Sequence, residues 1–101
     1  MDRRGGGAGA EITAEIRSTG PECIRLSVRV REGASETQHE VTVRPEYLAR
    51  LASAGETVEL LVRRSFAFLL EREPKESILR SFDLSVIGRY FPEYERAMKE
   101  R

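Results

Sequence analysis

The stretch Glu56 to Arg72 constrains the fold more than any other part of the chain. At about 100° per residue on a helical wheel, Val58, Leu61, Val62, Ser65, Phe66, Phe68, Leu69 and Leu70 share one broad side. Glu56, Arg63, Arg64 and Glu71 fall on the other. A helix with so wide an apolar face has to be covered, so the rest of the chain must supply a layer to receive it. Gly55 breaks the path before this helix and Thr57 is placed to cap its first turn. Pro74 stops it, because the residue before a proline avoids helical dihedrals.

Upstream, the apolar period is two. Ile12, Ala14 and Ile16 alternate with Glu11, Thr13, Glu15 and Arg17, which is the pattern of a half-buried strand over residues 11–18. Ile24, Leu26, Val28 and Val30 oppose Arg25, Ser27, Arg29 and Arg31 in a second run, 23–32. Thr37, His39, Val41 and Val43 oppose Gln38, Glu40 and Thr42 in a third, 36–44. Turn chemistry separates them at Thr19-Gly20-Pro21 and at Gly33-Ala34-Ser35. Three such runs predict an antiparallel meander with the second strand central and the edges of the first and third exposed. His39 falls by parity on the apolar face, as a packed, hydrogen-bonded residue; Cys23 reads as a small residue at the boundary of the core. Residues 1–10 are glycine-rich, hold nothing large to bury, and read as a disordered tail.

Downstream of Pro45 the period becomes helical. A short helix over 46–53 precedes the long one at 56–72, with Pro45 suited to a first helical position. After Pro74, three amphipathic pieces follow at 75–82, 83–91 and 92–100, the second capped by Asp83 and the third opened by Pro92. Five of the seven aromatic residues, Phe66, Phe68, Phe82, Tyr90 and Phe91, lie between positions 66 and 91 and mark where the later helices pack on the long one. The expected fold class is α+β: a three-stranded antiparallel β-meander followed by a helical C-terminal half packed on the sheet, with residues 11–101 as a single domain.

Composition narrows the function. Lys+Arg and Asp+Glu each number 17 and are interleaved, so no long-range field gathers nucleic acid or an anionic membrane. The middle strand carries a basic stripe, Arg25, Arg29 and Arg31, but Glu11, Glu15 and Glu40 come to the same face and no aromatic side chain lies there to stack on a base. One cysteine and one histidine leave little to ligate a metal, and no phosphate-binding, dinucleotide, zinc-protease or nucleophile-elbow motif occurs. The glutamates sit in charge-rich settings that argue against raised pKa values. No cofactor is implied. Without an apolar run near the N-terminus, neither a signal peptide nor a membrane span is read, and a cytoplasmic location is expected.

Two resemblances add to this reading. Residues 38–72, QHEVTVRPEYLARLASAGETVELLVRRSFAFLLER, run strand, short helix, glycine turn, longer helix, an order similar to the ribbon-helix-helix DNA-binding family. That likeness implies a strand shared between two chains, with Gln38, Glu40 and Thr42 directed at the DNA and Thr57 near a cap that meets phosphate. Two strands precede the supposed ribbon, and Glu40 faces a polyanion in that arrangement. Residues 72–95, REPKESILRSFDLSVIGRYFPEYE, resemble a family of short uncharacterised bacterial proteins, which implies a bacterial, stand-alone domain.

The expected function is therefore a small non-enzymatic interaction or accessory domain, its partner another protein or a second copy in a homodimer. The alternative is a ribbon-helix-helix regulator touching DNA through Gln38 and Thr42. A third class is an enzyme assembled from scattered ionisable groups, His39 or Tyr90 among them. Leu60 and Ala67 lie one heptad apart on the polar side of the long helix, flanked by Arg63 and Arg64, and these four residues are the expected contact surface.

Overall fold

The computed structural model describes residues 9–100. Strands β1 (Ala10–Thr19), β2 (Ile24–Glu32) and β3 (Ser35–Val43) pair antiparallel in succession. Helix α1 (Pro45–Leu51) and the long helix α2 (Val58–Leu70) follow. A 3-10 turn at Lys75–Ser77 leads into a short strand β4 (Ser81–Asp83). A second 3-10 turn at Leu84–Val86 runs into the single-turn helix α3 (Ile87–Tyr90), and α4 (Tyr94–Lys99) ends the described chain. The class is α+β, as the periodicity requires.

The sheet differs from the expected meander in one respect that matters. It has four strands in the order β1-β2-β3-β4, and β4 lies parallel to β3 through Glu40–Ser81, Val41–Phe82 and Thr42–Asp83. Residues 75–82, expected as a helix, are therefore a turn and a strand. Ile78, Leu79 and Phe82 have helical spacing, but the chain makes only one 3-10 turn after Pro74 before it meets the open edge of β3. Backbone groups on that edge need partners, and the amide of Glu40 donates to the Arg80 carbonyl at 2.7 Å. Parallel pairing becomes available because the connection from β3 to β4 passes through α1 and α2. The third strand is thus an interior strand along this stretch, and the outer edges belong to β1 and β4.

Other boundaries move by smaller amounts. The expected helix at 83–91 is a 3-10 turn plus one helical turn, and the last helix starts at Tyr94, two residues after Pro92. Ala10 belongs to β1 and not to the tail; residues 1–8 of that tail lie outside the described residues. Asp83 does cap its turn, accepting from the Ser85 amide, and Thr57 Oγ1 accepts from the Leu60 amide at 3.2 Å. Gly55 turns the chain into α2 with φ +80°, a left-handed conformation costly for any residue with a Cβ.

The core fills the space between one face of the sheet and α2. Leu26, Val28, Val30, Val41 and Val43 come from the sheet, and all eight α2 residues on the broad wheel face are buried. Full burial of each large apolar side chain contributes about 1.5–3 kcal/mol, which is why α2 organises the domain. Its aromatic rings reach the later segments: Phe66 lies 6.0 Å from Phe82, and Phe68 lies 6.0 Å from Phe91 and 5.3 Å from Tyr94.

Helix α4 is fastened by polar groups. The Ser65 hydroxyl donates to the Leu61 carbonyl at 2.8 Å, so the buried Tyr94 hydroxyl, 2.6 Å away, donates to Ser65 Oγ. Burial pushes the Tyr94 phenol up, keeping it a donor. Glu95 accepts from both the Tyr47 hydroxyl and Arg50 at 2.8 Å, which ties α1 to α4.

Candidate functional site

A mainly apolar concavity is present among the described residues. It lies where the end of α2, the turn after it, β4 and α3 converge, and encloses about 270 Å³. Leu69, Ile78 and Ile87 are buried beneath it, Phe82, Val86 and Phe91 are half-buried in its walls, and Leu79 and Tyr90 stand at its rim. Their exposures, 47% for Leu79 and 67% for Tyr90, place two of the four exposed large hydrophobic side chains on one groove. The other two, Ile16 and Leu60, lie on β1 and on α2. Isolated exposed leucines are ordinary; two large apolar side chains bordering the same apolar hollow set this groove apart from the rest of the described surface.

Pro74 creates this groove by ending α2 and forcing the chain across the end of the core. Glu73, just before it, is half-buried among the lining residues. Loss of solvent pushes its carboxyl above the usual carboxylate range, contrary to the expectation that the glutamates are all solvated. It is the only carboxylate in the lining, so the groove combines apolar walls with one negative charge that gains from a neighbouring cation.

His39 positions the rim. Its ring is buried in β3, 5.3 Å from Phe66, and both nitrogens are engaged. Nδ1–H donates to the Leu79 carbonyl at 2.7 Å, so Nε2 is the acceptor for the Thr37 hydroxyl at 2.9 Å. Burial lowers the imidazole pKa; the bond to Leu79 opposes this and the Arg80 charge reinforces it. A neutral histidine with both nitrogens committed is a clasp between β3 and the segment leading into β4.

Arg72 braces the far side of α2. Its guanidinium lies 3.6 Å from the Phe68 ring centroid, donates to the Phe68 carbonyl and pairs with Glu93 at 3.2 Å. Lys75 is covered and bonds Glu32 at 3.2 Å and Glu76 at 2.8 Å, fixing the turn before the groove.

Two other concavities among the described residues are polar. One, of about 360 Å³, lies on the sheet face away from the helices, among Thr13, Glu15, Arg29, Gln38, Glu40 and Arg80. The other, of about 550 Å³, lies among Cys23, Thr42, Arg44, Glu46 and Asp83. Burial alone raises the Asp83 carboxyl, but hydrogen bonds from Ser85 and Thr42 outweigh it and hold the group below the usual range. Among the described residues no group of three or more His, Cys, Asp or Glu could hold a metal ion, and no helix is long and apolar enough to cross a membrane.

The residues singled out from the sequence are dispersed. Leu60, Arg63 and Ala67 are exposed on α2. Arg64 is not on offer to a partner: it forms a two-pronged pair with Glu56, at 2.7 and 2.9 Å, and donates to the Met98 carbonyl at 3.1 Å. Gln38 and Glu40 are exposed on the helix-free sheet face, while Thr42 donates to Asp83. The ribbon implied by the DNA-binding resemblance needs a strand with a free edge, and β3 is flanked by β2 along its length and by β4 over Glu40–Thr42. Tyr90, named only in the enzyme alternative, stands at the groove. Glu73, Leu79, Phe82 and Phe91 were not read as a site, because their convergence depends on β4 leaving the helical path.

Comparison of the chain with protein-family models, with curated proteins and with solved structures gives no match in any of the three.

Proposed function

We propose that this protein is a small non-enzymatic interaction domain that receives an apolar side chain of a partner protein, flanked by a lysine or arginine, in the groove bordered by Leu79 and Tyr90. The observation that carries this reading is the joint placement of two exposed apolar side chains and a half-buried carboxylate, Glu73, around one hollow. At about 270 Å³ the hollow falls below the roughly 300–1,000 Å³ of most small-molecule sites. It suits one or two side chains of a protein segment. A partner cation beside Glu73 offsets the cost of leaving that carboxylate poorly solvated.

Selection from a random peptide display library on the purified protein tests this. The expected enrichment is an aromatic or branched aliphatic residue with Lys or Arg within a few positions. Leu79→Glu and Tyr90→Ala should each weaken the selected peptides by about thirtyfold, the scale of an interface hot spot near 2 kcal/mol. Glu73→Gln should remove the preference for the basic residue while keeping the apolar one. Selected peptides that bind Leu79→Glu and Tyr90→Ala as well as the parent would overturn the proposal.

A further inference from the structure

A different surface carries a second and independent inference. β1 is ten residues long and forms one edge of the sheet, with no strand beyond it among the described residues. Its inner face presents Ala10, Ile12, Ala14 and Ile16, of which Ile16 is 40% exposed. A long edge with apolar inner residues is a template for another strand unless charge or a bulge prevents it.

The charges on β1 are ordered. Across the helix-free face, Glu11 opposes Arg31, which opposes Glu36, so sign alternates from strand to strand. The pairing of β1 with β2 is irregular between Ile16 and Ser18, which leaves Arg17 without an opposite residue on β2. Arg17 pairs with Glu15 on its own strand at 3.6 Å, both side chains about two-thirds exposed. Within β1, Arg17 thus has no cross-strand partner, and Glu11 has one on a single side.

We propose that β1 pairs antiparallel with β1 of a second copy, about a two-fold axis at Ala14, to give one continuous eight-stranded sheet. In this register Glu11 meets Arg17 of the other copy and extends the alternating row. Ile12 meets Ile16, covering the exposed isoleucine, and Thr13 meets Glu15. Moving the axis to Thr13 sets Glu11 against Glu15, and moving it to Glu15 sets that residue against itself; like charges directly opposite destabilise a ladder. Moving it by half a residue puts the apolar face of one copy beside the polar face of the other. Of these registers, charge and parity together favour the one with its axis at Ala14. The two-fold axis stands perpendicular to the sheet, so both helical layers lie on the same side of it.

Light scattering and cross-linking on the full chain test this. The parent protein should be a dimer at tens of micromolar. With Cys23→Ser as background, Ala14→Cys should form an intermolecular disulfide under mild oxidation, since directly opposed Cα atoms lie about 4.5–5.5 Å apart, within disulfide range. Thr13→Cys and Glu15→Cys should not cross-link alone but should do so when mixed. Glu11→Arg and Arg17→Glu should each raise the dimer dissociation constant about tenfold, and the two together should restore it to within about threefold, with circular dichroism unchanged throughout. A monomer at tens of micromolar, or cross-linking of Thr13→Cys alone as fast as Ala14→Cys, would refute the pairing. Leu79→Glu should leave the dimer intact, so failure here is distinct from failure of the groove reading.

Discussion

Replacing His39 by alanine is the sharpest probe of how the groove is held. The substitution removes the donor to the Leu79 carbonyl and the acceptor for the Thr37 hydroxyl, each worth about 1 kcal/mol net. It also removes a ring packed against Phe66, worth about another 0.5–1.5 kcal/mol. The expected cost is therefore about 3 kcal/mol at pH 7.5, a fall in Tm of roughly 4–8 °C for each kcal/mol in a domain of this size. Acid should reproduce part of this loss. Because burial lowers the folded-state pKa of His39 below 6.5, the stabilisation is complete above about pH 6.5 and is lost as pH falls through the folded value. One proton limits the slope to about 1.4 kcal/mol per pH unit. His39 is the only histidine in the chain, so a loss of stability as pH falls from 6.5 to 5 belongs to it. The carboxyls of Glu76, Glu93 and Asp83 are held low and weaken the fold only in stronger acid, whereas the raised Glu73 acts with the opposite sign. Urea denaturation from pH 7 to 5 measures both effects. A cost below 1 kcal/mol, or an unchanged slope in His39→Ala, would refute the clasp.

Two further outcomes follow from side chains on α2. Ser65→Ala should cost more than Tyr94→Phe, about 1–3 against about 1 kcal/mol, because it strands a buried phenol; the double variant should recover part of the difference in a denaturation cycle. Leu60→Glu should weaken self-association, read by light scattering, with Tm unchanged, because Leu60 is 45% exposed on the helix that packs against β1. An intact dimer in that variant would remove α2 from the contact surface.

Much of this was written locally in the chain. The eight buried positions of α2, the three long strands, the inward His39, the Thr57 and Asp83 caps and Pro45 at the head of α1 all follow from period and capping chemistry, which act within a few residues. The same patterns show which face of β2 is apolar, and so that the helices cover one side of the sheet and leave Arg25, Arg29 and Arg31 on the other.

What tertiary structure alone decided is the fate of residues 75–83. Ile78, Leu79 and Phe82 suit a helix by spacing, and only the unpaired edge of β3, some forty residues earlier, draws the chain out of that path and into β4 at Ser81–Asp83. That decision moves Phe82 beside Phe66, brings the Leu79 carbonyl to His39, desolvates Glu73 and opens the groove beneath Tyr90. Hydrogen-bond demand at a distant sheet edge outweighs a short segment's helical preference, because backbone groups left unpaired cost more than a three-residue propensity can return.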